Sequence, residues 1–173
     1  MNQHRIYVSL IFICVFAVEL AAQSTPRSVV ESFYKYDGTH SQTFNRNNIG
    51  ARKRWFTDVL QLQFQNELRR EREYLRGNPT DKPHFGDGLP FRPLDETCRA
   101  GRRTYRYSVS IGAASARASN ATVPVIFSYP KSCNIPSTKY AVRLRRVNRV
   151  WLINDLEYPD GSTLLADLMR PSY

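Results

Sequence analysis

The stretch KYAVRLRRVNRVWLINDLEY, residues 139–158, decides the reading of the chain. Tyr140, Val142 and Leu144 alternate with Ala141, Arg143 and Arg145, the period of a strand with one face on a core and the other in water. Residues 150–158 are dense in β-branched and aromatic side chains, and Asn148 interrupts the apolar run in a short polar patch. The two halves therefore predict a β-hairpin. A hairpin alone is marginal in water, so the rest of the chain must bring more strands and a cover for the apolar face.

Those strands lie just upstream. Residues 104–111, TYRYSVSI, set Tyr105, Tyr107, Val109 and Ile111 on one face, and residues 121–129 do the same with Val123, Val125, Phe127 and Tyr129. Pro124 cannot donate to a ladder, which calls for an edge, a bulge or a place where the missing donor faces out. Cys98 and Cys133 flank this pair of strands, so a disulfide between them would close the pair at its base.

The cover comes from helices. Ser24-Thr25-Pro26 offers an N-cap and a first-position proline, Val29, Val30, Phe33, Tyr34 and Tyr36 form an apolar face, and Gly38 ends the helix. A second, continuous helix is predicted over 50–76, with Phe56, Leu60, Phe64 and Leu68 at intervals of four and Trp55, Val59 and Leu62 widening the stripe. Asp58 sits at the edge of that stripe. Residues 80–98 are rich in proline and glycine and read as an ordered loop. A short helix through Met169 follows the turn Tyr158-Pro159-Asp160-Gly161. The expected fold is α+β, with N-terminal helices packed on a strongly curved antiparallel sheet of about four strands and a short C-terminal helix.

At 173 residues and 20.0 kDa the chain is one domain's worth, expected over 24–170. Residues 1–22 have an early positive charge, an apolar run and small residues at Ala21-Ala22, the pattern of a secretory signal peptide; an uncleaved membrane anchor is the alternative. The bulky Ile11-Phe12-Ile13 ahead of Cys14 speak against lipid attachment, and so against a membrane tether. Export, to the periplasm or the exterior, would leave Cys98 and Cys133 as a pair where disulfides persist, two free thiols being the alternative. Neither His40 nor His84 lies at ligand spacing from a cysteine, so no metal and no cofactor is expected.

The formal net charge is +10, from 25 basic and 15 acidic side chains, and most of the basic charge is arginine. The arginines are spread, and no RRM or KH signature or arginine-rich tail accompanies them, which speaks against a nucleic-acid partner. An exported basic chain meets anionic envelope polymer or acidic proteins first.

Residues 151–158, WLINDLEY, followed by a turn and Ser162-Thr163-Leu164-Leu165, resemble the closing strand of nuclear transport factor 2-like (cystatin-like cone) domains. Val29-Val30-x-x-Phe33-Tyr34 and Asp87-Gly88-x-Pro90-Phe91 are similar to an uncharacterised family of exported bacterial envelope proteins and lipoproteins in that superfamily. The resemblance implies a cone-like domain whose open end holds a small molecule or is filled by side chains. It would place Tyr34, Trp55, Asp58, Tyr105, Tyr107, Trp151 and Asp155 toward that cone.

Two classes of function follow. One is a non-catalytic exported module that recognises an envelope protein or anionic envelope polymer through Arg143, Arg145, Arg146 and Arg149, consistent with a shortage of ionisable groups at expected core positions. The other is a small-ligand carrier or isomerase/hydratase-type enzyme, with Asp58 or Asp155 as base and Tyr34 or Tyr107 as hydrogen-bond donor. A third, narrower reading is a neutralising partner of an exported toxin or hydrolase, acting through the loop over 80–98. An exposed aromatic sheet face would add a homodimer.

Overall fold

A computed structural model describes residues 24–94 and 97–170; the predicted signal segment lies outside them. Helix α1 (Pro26–Asp37) starts where the sequence places it: Thr25 accepts a hydrogen bond from the Ser28 N–H, and Pro26 occupies the first turn. The predicted second helix is three pieces. These are α2 (Arg46–Arg52), a 3-10 turn (Lys53–Trp55) and α3 (Asp58–Gly77).

The break has a physical cause. Phe56 is drawn into the core, 1% exposed, and bridges Ile153 in parallel, while the Thr57 N–H donates to the Ile153 carbonyl at 2.9 Å. Thr57 then caps α3 by accepting from the Leu60 N–H. Val59 and Leu62, expected on the buried stripe, are instead 50% and 54% exposed, because the core face of α3 runs through Leu60, Phe64, Glu67 and Glu71.

The fold has more strands than the expected four. Among the described residues seven are present: β1 (Thr97–Ala100), β2 (Arg103–Arg106), β3 (Ser108–Ile111), β4 (Ser115–Arg117), β5 (Asn120–Ser128), β6 (Thr138–Val147) and β7 (Val150–Glu157). Strands β1 and β2 form a separate hairpin, and the other five form an open antiparallel sheet of order β3-β5-β6-β7 with β4 also on β5. The single strand expected over 104–111 changes partner at Tyr107, because β2 pairs with β1 and β3 pairs with β5.

Strand β5 is central, yet it holds Pro124. The ladder absorbs it opposite the break between β3 and β4, where the Pro124 carbonyl accepts from the Gly112 N–H at 2.9 Å. A Cβ on Gly112 would lie 2.6 Å from Pro124 Cγ, so only glycine allows this approach. The β6–β7 hairpin closes on Asn148 and Arg149, both at positive φ (48° and 68°), the two-residue turn that suits the twist of paired strands.

Helix α4 (Leu164–Met169) follows. Val30, Phe33, Phe56, Leu60, Phe64, Val123, Val125, Phe127, Leu164 and Leu168 are at most 1% exposed and join helices to sheet in one core. Cys98 and Cys133 are disulfide-bonded with Cα atoms 5.9 Å apart, tying the β1–β2 hairpin to the segment after β5. Among the described residues no helix is long and apolar enough to cross a membrane.

Candidate functional site

The interior holds more ionisable groups than the sequence pattern suggests. Asp37, at the end of α1, is fully buried. Arg52 Nε donates to its Oδ1 at 2.8 Å and Arg92 Nε to its Oδ2. Arg52 also donates to the carbonyls of Asn48 and Ser41, and Arg92 to the Tyr34 carbonyl and the Tyr107 hydroxyl. Every arm of this triad is satisfied, so it acts as a pin between α1, α2 and the loop after α3.

A second cluster lies on the core face of α3. Glu67 is fully buried, accepts from Arg70 Nε at 2.9 Å and faces His84 Nδ1 at 3.0 Å. Glu71 accepts from the Phe85 N–H at 3.0 Å. Burial raises the Glu71 carboxyl above its ordinary pKa, the Phe85 hydrogen bond works the other way, and neighbouring Glu67 adds to the rise. The sequence carried a signal for both acids: Leu60, Phe64, Glu67 and Glu71 follow the helical spacing of one face.

The expected site residues disperse. Tyr34 is buried, its hydroxyl donating to the Phe91 carbonyl at 3.1 Å, and burial followed by the charge of Asp37 holds it well above its ordinary pKa. Trp55 packs edge-on to Phe33 at 5.7 Å, and Tyr107 packs on Phe127 at 5.1 Å. Tyr105 stands on β2 opposite Cys98, and Trp151 on β7 opposite Arg146. Asp58 is exposed in the first turn of α3. Asp155 is buried and accepts from the N–H groups of Leu156 and Leu165 at 2.8 and 2.9 Å, fastening β7 to the start of α4. Tyr34, Trp55 and Tyr107 thus reach one aromatic core, while Asp58 faces solvent and Asp155 is bonded to backbone N–H groups.

The four hairpin arginines do not share a face. Arg143 and Arg145 are exposed on alternate positions of β6, with Arg143 bonded to Glu157 at 2.5 Å. Arg146 turns to the other side, its guanidinium 5.8 Å from the Trp151 ring, and Arg149 sits at the turn.

A more compact basic surface lies between α2 and α3. Arg46, Ile49, Gly50 and Lys53 line one wall of a groove of about 520 Å³. Gln61, Gln65, Leu68, Arg69 and Arg72 line the other. These positions repeat at three and four residues along α2 with the turn that follows it and along α3, so each set forms one stripe. Gln61 Nε2 donates to the Lys53 carbonyl at 3.2 Å, which fixes Lys53 at the Gln61 end; Arg69 and Arg72 lie two to three turns further along α3. The groove has four cations, no carboxylate and an apolar floor of Ile49 and Leu68.

Among the described residues no group of three or more His, Cys, Asp and Glu side chains is placed to hold a metal ion. Comparison of the chain with family models, with curated proteins and with solved structures finds no match.

Proposed function

We propose that the chain is an exported, non-catalytic binding module that takes up an anionic envelope component or an acidic protein, with the α2–α3 groove as its contact surface. The observation that carries this reading is the lining of the groove by Arg46, Lys53, Arg69 and Arg72 with no acid among them. Guanidinium forks match carboxylate and phosphate oxygens in pairs, and a concave wall of one sign concentrates the opposite charge.

The distribution of charge supports the same reading. Among the described residues the acids Asp37, Glu67, Glu71 and Asp155 are buried, against a single buried base, Arg52. The solvent-facing side chains of the described residues therefore carry a larger positive excess than those residues do as a whole. The apolar run over 6–18 and the Cys98–Cys133 bond support export, since disulfides persist in oxidising compartments. Helices packed on an antiparallel sheet that ends in β7 and α4 support a relationship to the nuclear transport factor 2-like domains. The hydrogen bonds of Asp155 and Tyr34 to the chain's own backbone favour binding over cone chemistry.

Calorimetric titration of the disulfide-bonded chain with polyglutamate tests the proposal. Binding is expected at low ionic strength and should weaken toward about 0.15 M salt, where charges more than about 8 Å apart are screened. Polyglutamate binding no better than polylysine would sink it.

A further inference from the structure

We infer that the groove between α2 and α3 is a docking site for an extended acidic peptide segment that carries an apolar side chain between its carboxylates. The inference rests on the binding-module reading above and names the ligand class that its groove selects.

Three features select it. The cations are separated: from the Gln61 end, where Lys53 lies, to Arg69 is eight residues, or about 12 Å along α3. A single phosphate would engage both ends only if the two long side chains folded inward, whereas carboxylates three or four residues apart on an extended chain match the spacing directly. Between the cations lies an apolar floor of Ile49 and Leu68, opened further by Gly50, where an added Cβ would meet no atom within 4 Å. That space suits a side chain such as leucine, set within a charged rim as anchors are at protein interfaces. The amides of Gln61 and Gln65 add donor and acceptor groups that a peptide main chain can use. Polyphosphate and anionic membrane headgroups have the charge but offer nothing for the floor.

Gly50 supplies a variant that fills the groove without disturbing the fold. It lies inside α2 at an ordinary helical φ with open space at its Cβ, so Gly50→Leu places a side chain where the anchor would sit. The experiment is fluorescence anisotropy of the full disulfide-bonded chain with a labelled acidic decapeptide bearing two central leucines. The same peptide with serines for leucines, inorganic polyphosphate, and vesicles of mixed phosphatidylglycerol and phosphatidylcholine serve as the other probes. The leucine peptide is expected to bind at least about tenfold tighter than the serine peptide, and Gly50→Leu to remove about that factor with its thermal midpoint unchanged or higher. Arg69→Glu with Arg72→Glu should weaken binding by about tenfold or more, and Arg102→Glu with Arg103→Glu, an equal charge change in the β1–β2 hairpin, by far less. Unchanged binding by Gly50→Leu, or equal losses from the two charge reversals, overturns the groove as the site while leaving a basic binding module standing. Polyphosphate or vesicles bound as tightly as the leucine peptide overturn the peptide as its ligand. Failure of every anionic probe to bind at low salt overturns both this inference and the reading beneath it.

Discussion

Burial on the core face of α3 makes the charged form of Glu71 unfavourable, and Glu67 four residues away works in the same direction. Its folded pKa lies above the unfolded value, so the folded state holds this proton over a pH window in which the unfolded state has released it. Stability contributed by the protonated form is complete below the ordinary carboxylate pKa and is lost as pH rises through the raised one. Glu71→Gln keeps an acceptor for the Phe85 N–H and removes the charge. The variant is expected to melt at a higher temperature than the parent at pH 7 and to lose less stability between pH 4 and pH 7, as read by thermal scans across that range. A steeper pH dependence in the variant would show that Glu71 is held as a needed anion instead.

At the scale of elements, the junction of β3, β4 and β5 depends on one glycine. Gly112 must let its backbone approach Pro124, whose ring fills the space a side chain would take, and its N–H satisfies the Pro124 carbonyl. Gly112→Ala forces a contact of 2.6 Å against a ring that cannot rotate away. A loss of about 1–3 kcal/mol in urea unfolding is expected, the usual size of overpacking. An unchanged midpoint would mean that the strand junction relaxes freely. The same sheet explains why β7 is not an open edge: Phe56 and Thr57 cover one part of it, and Thr163 bridges Glu157 further along.

At the scale of the whole molecule, two of the links between distant segments are a buried ionic centre and a covalent bond. Asp37 gathers Arg52 and Arg92, 15 and 55 residues away in sequence, into one buried centre. The Cys98–Cys133 bond closes a separation of 35 residues, for which the loop-entropy account gives about 4 kcal/mol. Asp37→Ala would leave two guanidinium groups facing each other without their shared anion, and a loss of about 3–5 kcal/mol is expected by chemical denaturation. A loss below about 1 kcal/mol would show that water or a rearranged loop takes over the role of the carboxylate.

How much of this was legible follows from the range of each interaction. The alternation over 139–158, the Thr25-Pro26 start, the Gly38 stop and the cysteine spacing are local signals, and they determined the β6–β7 hairpin, α1 and the disulfide pair. The break before Thr57 was written in a threonine followed by aspartate, an N-cap pattern that the apolar period of four overrode. Burial of Glu67 and Glu71 was present in the helical spacing but hidden by their polarity. The split of β2 from β3, the pairing of Asp37 with two arginines and the meeting of Arg46 and Lys53 with Arg69 and Arg72 had no local signal. Periodicity reports which face of an element turns inward; which elements then face each other is set by packing across many residues, and only the tertiary structure decides it.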